Sequence, residues 1–82
     1  MIRVRARLFA MQREIAGTNR IELELPDDAD IETAWSALVE RFAALAPGRA
    51  SLRFARNAEY ADPSELLADG DEVACIPPVS GG

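Results

Sequence analysis

The residues that could do chemistry lie at the end of the sequence, which reads Pro-Pro-Val-Ser-Gly-Gly from Pro77 to Gly82. Proline has no main-chain N–H and cannot continue a strand ladder, so Pro77 and Pro78 favour an extended path away from a folded domain. Gly81 and Gly82 have no Cβ, which allows them to enter a channel too narrow for any other residue. The reactive group that such a tail presents is the main-chain carboxylate of Gly82.

A carboxylate reacts only after it has been activated. A partner that uses ATP can convert it to an acyl-adenylate, and the acyl carbon can then accept sulfur. The resulting thiocarboxylate is ionised and nucleophilic at neutral pH, as a thiolate is. The activated carbonyl can instead be passed to an amine, which would link the tail to another protein. All nine basic residues are arginines, so no lysine side chain of this domain could capture its own activated end.

The composition offers little other catalytic chemistry. The absence of histidine excludes imidazole bases, histidine-dependent triads and histidine metal ligands. The single cysteine, Cys75, excludes an internal disulfide and fits a reducing cytosol. Cys75 is in phase with Val73 on a short strand, which indicates a buried and inert thiol. We therefore expect a protein that is not an enzyme on its own and that binds no cofactor.

The four acids at positions 27, 28, 30 and 32 lack the glycine and the terminal glutamate of a calcium loop. We interpret them as residues that cap and solvate a helix, and we expect no metal site. The net charge of −5 argues against a nucleic-acid partner, which would favour a basic surface. The alternating N-terminus is not a signal peptide, and no apolar run approaches the roughly 20 residues that span a bilayer. We expect a cytoplasmic protein without a membrane partner.

Hydrophobic periodicity predicts a single α+β domain over residues 1–76, followed by an extended tail over 77–82. The predicted strands and helices are strands at 2–8, 20–25, 52–56, near Tyr60 and at 72–76, a short helix at 11–17 and a long helix at 31–45. We expect Asp30 to cap the long helix and Pro47-Gly48 to end it. We also expect one helical turn at 63–67 and a tight turn at 69–71. The first two strands should be antiparallel, and the first and last should be neighbours.

The segment Asp69 to Gly82, D-G-D-E-V-A-C-I-P-P-V-S-G-G, resembles the sulfur-carrier small subunit of molybdopterin synthase, a ubiquitin-like family. The opening M-I-R-V, the nearby L-F-A and the R-E-I-A-G-T at 13–18 are also similar to that family, so the resemblance covers nearly the whole chain. It implies a β-grasp fold, in which a mixed sheet packs on one long helix. One departure is Cys75-Ile76, where family members often have bulkier aromatic residues.

The resemblance also implies a function. Gly82 would be adenylated by a ubiquitin-activating-type enzyme that uses ATP, and then converted to a thiocarboxylate. The tail residues Pro77, Pro78, Val79, Ser80 and Gly81 would insert into the large catalytic subunit of the synthase. There the thiocarboxylate would donate sulfur to cyclic pyranopterin monophosphate in molybdenum cofactor biosynthesis. The family assembly is a heterotetramer with two small and two large subunits.

Strand parity predicts a partner surface beside the tail. Phe9 and Ile76 fall on the side of their strands that faces away from the core, and Tyr60 matches a family position near them. Exposed apolar residues beside a functional tail favour an interface. Five arginines could surround it and select an acidic partner, or could simply pair with Glu22 and Glu24: Arg3, Arg5, Arg7, Arg53 and Arg56.

Three other functions remain open from the sequence. The first is a sulfur carrier for thiamine or another thio-compound, which would have the same fold and the same Gly-Gly end. The second is a β-grasp interaction module that is not a carrier and whose tail is incidental. The third is a protein modifier that forms isopeptide-linked conjugates.

Overall fold

The computed structural model describes residues 1–78. Within them five strands and two α-helices follow one another, and a 3₁₀ helix succeeds the longer α-helix. The elements in chain order are β1 (Ile2–Leu8), α1 (Ala10–Ala16), β2 (Arg20–Leu25), α2 (Ile31–Arg41), the 3₁₀ helix (Ala43–Ser51), β3 (Arg53–Arg56), β4 (Glu59–Ala61) and β5 (Glu72–Ile76). The predicted α+β architecture is confirmed.

The strands form one mixed sheet in the order β2-β1-β5-β3-β4. β1 is antiparallel to β2 and parallel to β5, so the first and last strands are neighbours at the centre, as predicted. Alternate residues of β1 are buried, from Ile2 to Leu8, because side chains along a strand point to opposite faces. The apolar face packs against α2, and we call the opposite face of the sheet the outer face.

The helix α2 begins where the sequence predicts. The Asp30 Oδ1 accepts a 2.8 Å hydrogen bond from the Thr33 N–H, and the Thr33 hydroxyl oxygen accepts one from the Asp30 N–H, forming a capping box. Trp35 and Leu38 are buried, and the Trp35 ring meets Phe54 of β3 edge-on at 6.2 Å. Burial of each such side chain stabilises the fold by about 1.5–3 kcal/mol. Among residues 1–78 there is no helix with the length and apolarity to cross a bilayer.

The predicted end of this helix is wrong. α2 ends at Arg41, where Phe42 leaves helical geometry with φ −136° and ψ 82°. A 3₁₀ helix then continues to Ser51 with Pro47 inside it. Proline disfavours α-helical geometry in the residue before it and clashes with the carbonyl four residues earlier, so an α-helix could not include Pro47, although this alone would allow it to reach residue 45. The change of course also buries Leu45, which is 3% exposed.

The helical turn predicted at 63–67 is also wrong. This segment is a turn followed by an extended stretch in which Leu66 forms an isolated bridge with Asp30. The Asp62 carboxylate accepts hydrogen bonds from the N–H and hydroxyl of Ser64, which fixes a turn and competes with helix formation. The Ile31 N–H then donates to the Glu65 carbonyl, and the Leu67 N–H donates to the Ala29 carbonyl. The segment therefore braces the start of α2.

The short helix and the tight turn are confirmed. α1 ends at Gly17, whose φ of 75° suits glycine and whose N–H donates to the Arg13 carbonyl. At the turn before β5, Gly70 has a φ of 89° and its N–H donates to the Arg3 carbonyl at 2.7 Å. The Asp69 carboxylate accepts from the Arg3 N–H at 2.8 Å. These bonds tie the entry to β5 against β1 and so help to set the register of the strand that leads to the tail.

Candidate docking face and carrier tail

The tail begins where the central strand β5 ends. β5 ends at Ile76, and Pro77 and Pro78 follow outside the sheet, because neither can donate to a ladder. Pro77 is half-buried and Pro78 is exposed. The remaining predicted tail residues, Val79, Ser80, Gly81 and Gly82, lie outside the described residues.

The register of the two central strands brings Phe9 and Ile76 to adjacent positions. Leu8 is paired with Cys75, and Phe9 and Ile76 are the next residues on the two parallel chains. Phe9 keeps an extended backbone, with φ −130° and ψ 156°, before α1 begins. Both residues are half-buried. The sheet therefore places two apolar side chains beside the root of the tail.

Tyr60 lies on the outer face at the edge of the sheet. It is 73% exposed and is paired with Ala55, which is in turn paired with Ala74 of β5. The pairings form a row of small residues between Tyr60 and the central strand, two residues along β5 from Ile76. We call the set Phe9, Ala55, Tyr60, Ala74 and Ile76 the docking face. The two alanines in it could not be found from the sequence, because alanine gives no signal until the register is known.

Three of the five arginines named from the sequence form ion pairs with acids, Arg3, Arg7 and Arg56. Arg3 and Arg56 face acids, with Arg3 Nη2 at 3.6 Å from Glu24 Oε1 and Arg56 Nη2 at 3.8 Å from Glu65 Oε1. Such exposed pairs stabilise little. Arg7 lies against the docking face, where its Cζ is 5.4 Å from the Phe9 ring centroid and its Nη1 is 3.8 Å from Glu72 Oε1.

The other two of the five arginines are Arg53 and Arg5. Arg53 is paired with Ile76, and Arg5 is paired with Glu22 and with Glu72 in the two neighbouring strands. Arg7 and Arg53 thus give the docking face a basic margin on a chain whose net charge is −5. A margin of this sign favours approach of an acidic surface.

Cys75 does not contribute a nucleophile to the site. Its side chain is fully buried beneath the sheet with Val73, as predicted. Burial raises the pKa of the Cys75 thiol to about 12, because a thiolate is poorly solvated there. The thiol is therefore protonated and out of reach of solutes at neutral pH.

The acids near α2 have structural roles. The Thr33 hydrogen bonds lower the pKa of Asp30, and the hydrogen bonds from Arg49 lower the pKa of Glu32. Arg49 Nε donates to Glu32 Oε2 at 3.0 Å, and the same guanidinium lies over the Phe54 ring with its Cζ at 5.0 Å from the centroid. Over residues 1–78, histidine, cysteine and acidic side chains form no group of three or more that could hold a metal ion.

One feature beside the tail was missed by the sequence analysis. A groove of about 480 Å³ lies between α1, the 3₁₀ helix and the two prolines Pro77 and Pro78. Its floor includes Trp35, and its rim includes Met11, which is 69% exposed. Gln12 also lines it. In the sequence, the groove is represented only by Met11 and Gln12 within a helix of seven residues. That pattern is too weak to indicate a groove.

The sheet order, the single long helix and the tail that leaves the central strand define a ubiquitin-like β-grasp domain. A solved structure with the same fold is the ubiquitin of Caldiarchaeum subterraneum, with a TM-score of 0.65 at 19% identity, covering 99% of this chain and 98% of that one. The chain belongs to the ThiS family, whose family model matches residues 6–82.

Proteins similar in sequence and in structure match this chain over nearly its full length. The chain is 41% identical over 83 residues to a protein of Chlamydomonas reinhardtii named molybdopterin synthase sulfur carrier subunit, covering 99% of this chain and 100% of the relative. Among solved structures, SAMP1 from Haloferax volcanii has a TM-score of 0.86 and 35% identity, covering 98% of this chain and 99% of that one. That protein is also described as small archaeal modifier protein 1. The predicted resemblance to sulfur-carrier subunits and the predicted β-grasp fold are both confirmed.

Proposed function

We propose that this protein is the sulfur carrier subunit of a molybdopterin synthase, with the carboxylate of Gly82 as the group that carries sulfur. The observation that supports this most is the 41% identity to a molybdopterin synthase sulfur carrier subunit over its whole length. The ThiS family match extends through residue 82, so the Gly-Gly end lies within the matched region. The register that places Phe9 and Ile76 at the root of the tail adds a surface on which a tail-binding partner can rest.

The chemistry has three steps. A carboxylate oxygen of Gly82 attacks the α-phosphorus of ATP on the adenylating enzyme, which forms an acyl-adenylate and releases pyrophosphate. A hydrosulfide-level nucleophile attacks the acyl carbon, AMP leaves, and a thiocarboxylate remains. Its sulfur then forms a bond to a carbon of cyclic pyranopterin monophosphate on the large subunit, an oxygen substituent leaves that carbon, and water cleaves the acyl–sulfur bond to return the carboxylate. Each loaded carrier delivers one sulfur, so two carriers supply the two sulfurs of a dithiolene. None of these steps oxidises or reduces Gly82.

The domain itself contributes positioning rather than catalysis. The pair of prolines keeps the tail out of the sheet, and the docking face with its basic margin orients the domain on the large subunit. That face offers little acid–base chemistry for the transfer, because apart from the phenol of Tyr60 its members are aliphatic side chains and a phenyl ring, and its flanking cations are arginines. Rate enhancement must then come from the partner, so the protein acts as a non-catalytic subunit. It binds no cofactor of its own, and the ATP is bound by the adenylating enzyme.

A protein modifier is the second candidate, favoured by the likeness to small archaeal modifier protein 1. Both functions begin with the same acyl-adenylate and differ in the nucleophile that takes the acyl group. An amine gives a stable conjugate, whereas sulfur gives a thiocarboxylate. The absence of lysine prevents side-chain self-conjugation in either case and does not discriminate between them.

Intact-mass spectrometry tests the proposal. The protein is incubated with the adenylating enzyme, ATP and sulfide, and the expected product has one oxygen replaced by sulfur at the C-terminus. A variant with one alanine appended after Gly82 is the matched control and should stay unmodified. The loaded protein is then mixed with the large subunit and the pterin precursor, and the expected result is return of the carboxylate with formation of a dithiolene product. Stable conjugates with other proteins and no sulfur transfer to the pterin would instead establish a modifier.

A further inference from the structure

The groove beside the tail root differs in character from the docking face. Among residues 1–78 its lining includes no acid and no arginine, and its walls are mainly apolar, with Ile15, Trp35, Leu45 and Leu52 among them. Met11 stands at the rim and is 69% exposed. Methionine adapts to different neighbours and is enriched at protein interfaces. An uncharged groove of this kind favours an apolar occupant.

One buried polar atom adds a second requirement for the occupant. Gln12 lines the groove, is only 9% exposed, and its Oε1 accepts no hydrogen bond from the residues described. Buried amide oxygens are nearly always paired, because an unpaired one has lost its water without replacement. The last side-chain torsion of glutamine is broad, so the amide can turn its oxygen toward a neighbour at little cost. The occupant should therefore combine an apolar group with an N–H or O–H donor.

The groove and the docking face meet at the tail root. Phe9 of the docking face directly precedes residues 10–12, which line the groove. Ile76 of the docking face directly precedes Pro77 and Pro78, which form another part of the groove wall. The chain thus passes from one surface to the other at two adjacent places. A partner that surrounds the tail root covers both surfaces.

Two partners take the tail under the proposed function, on which this inference rests. The carrier has to leave the adenylating enzyme before its sulfur can be used, whereas it forms a subunit of the synthase. Lasting subunit interfaces are more apolar than those of transient encounters. We propose that the groove receives a segment of the large synthase subunit, with an apolar side chain against Trp35 and a main-chain N–H that donates to Gln12 Oε1.

The consequence is that the large subunit holds the tail root from two sides. The docking face is held on the outer face of the sheet, and the groove is held beside α1 and the 3₁₀ helix. Contact on both sides of Pro77 and Pro78 fixes the direction in which the tail leaves the domain. Transfer of sulfur gains from such orientation, because a reacting group held in the correct geometry needs no further search.

Isothermal titration calorimetry of the unloaded full-length protein with the large subunit tests the proposal. Met11→Glu puts a charge at the uncharged rim, and we expect affinity to fall about tenfold or more. Arg13→Gln is the matched control, because it changes the net charge equally at an exposed residue of the same helix that does not line the groove. It should bind as the wild type does. Wild-type affinity in Met11→Glu, or an equal loss in Arg13→Gln, would overturn the proposal.

Gln12→Met tests the hydrogen bond. Methionine has a similar volume but no amide, so the donor of the large subunit would lose its acceptor and affinity should fall about two- to tenfold. The urea midpoint of the variant should be no lower than that of the wild type, because an unpaired buried amide has been removed. A merely structural amide would instead give a lower midpoint with unchanged affinity, which would contradict the proposal. Met11→Glu changes an exposed side chain, so it remains a test if Gln12→Met does not fold.

Other occupants of the groove give different results. A gain in affinity in Met11→Glu would indicate an occupant from this chain that competes with the partner. A wild-type dimer that Met11→Glu dissociates, measured by sedimentation, would assign the groove to a second copy. Slower sulfur loading of Met11→Glu with unchanged affinity for the large subunit would assign it to the adenylating enzyme. Each of these results overturns the proposal.

Failure of this inference is distinguishable from failure of the proposed function. If the wild type and Met11→Glu bind the large subunit equally well, only the role of the groove is lost. If the wild type does not bind the large subunit at all, the proposed function fails with it. The titration needs no adenylating enzyme and no sulfur, so the intact-mass test of the carrier remains a separate measurement.

Discussion

Arg53 of β3 is the cross-strand partner of Ile76, the last residue of the sheet before the two prolines. The pairing sets a cation beside an apolar side chain at the point where the tail leaves the domain. Both side chains are on the outer face, away from α2. A partner that takes the tail must pass over this position, so Ile76 is the member of the docking face closest along the chain to the reactive end.

Replacement of Ile76 by glutamate should weaken binding to the large synthase subunit. The glutamate would place a charge in an apolar contact from which binding excludes water. Substitutions at the centre of an interface commonly weaken affinity tenfold or more, so we expect a loss of about tenfold or more. Isothermal titration calorimetry measures it. Leu66→Glu is the matched control, because Leu66 is a 63% exposed apolar residue outside the docking face, and it should bind as the wild type does. If both variants lose the same affinity for the large subunit, the docking face is not the binding surface.

The Cys75 thiol should take no part in loading sulfur onto the C-terminus. With the pKa of its thiol raised to about 12, the thiolate fraction at neutral pH is lower than that of an ordinary cysteine by about a thousandfold. We expect iodoacetamide to alkylate Cys75 in urea but not in the folded protein. Cys75→Ala should still acquire the terminal sulfur, with a free energy of unfolding lowered by about 1–2 kcal/mol through the cavity it leaves. Loss of sulfur loading in a folded Cys75→Ala protein would mean that the thiol takes part after all.

The β3–β4 hairpin should be stabilised by a glycine. Asn57 and Ala58 have φ of 50° and 74°, the pattern of a type I′ turn, in which asparagine followed by glycine is preferred. Alanine is strained at positive φ, so Ala58→Gly should raise the free energy of unfolding by about 0.5–1 kcal/mol. Urea denaturation with an unchanged slope measures this. Ala46→Gly, at a negative φ in the 3₁₀ helix, should lower stability instead, and a stabilising effect there would argue against the strain at Ala58.

The sequence allowed the fold to be predicted where one physical signal acted alone. Strict alternation in β1 and the capping group at Asp30 led to correct elements, and the phase of Val73 and Cys75 correctly buried the thiol. The errors arose where local preferences competed. The chain left α-helical geometry at Phe42 and continued as a 3₁₀ helix that contains Pro47 and buries Leu45, and Asp62 formed a turn with Ser64 in place of a helical turn.

In the candidate site, too, the residues that depend on one strand could be predicted, and those that depend on several elements could not. Parity placed Phe9 and Ile76 on the outer face, because parity depends on each strand alone. The contribution of Ala55 and Ala74 depends on the register between β3 and β5, which is set by turns and by the packing of the whole sheet. The groove that Gln12 lines requires three separate elements and the tail root to be in place, so no local pattern could have revealed it.

The stability of the domain should fall in acid partly through Asp30. Its side-chain hydrogen bond with Thr33, and then the Thr33 backbone N–H, lower the pKa of the Asp30 carboxyl in the folded state. A depressed folded pKa contributes stability that is fully present above the unfolded value of about 3.9 and is lost as the pH falls through the folded value. The window is therefore below about pH 4.

Two variants isolate this contribution. Asn is as good an N-cap as Asp and does not titrate, so Asp30→Asn should match the wild type at pH 7 and lose less stability as the pH falls below about 4. Asp30→Ala removes the cap and should cost about 1 kcal/mol at pH 7. Urea denaturation at each pH gives the free energies of unfolding. The two proteins differ in acid only through the titration of Asp30. If the free energies of unfolding of the wild type and of Asp30→Asn fall equally below about pH 4, other carboxylates, such as Glu32 beside Arg49, cause the pH dependence.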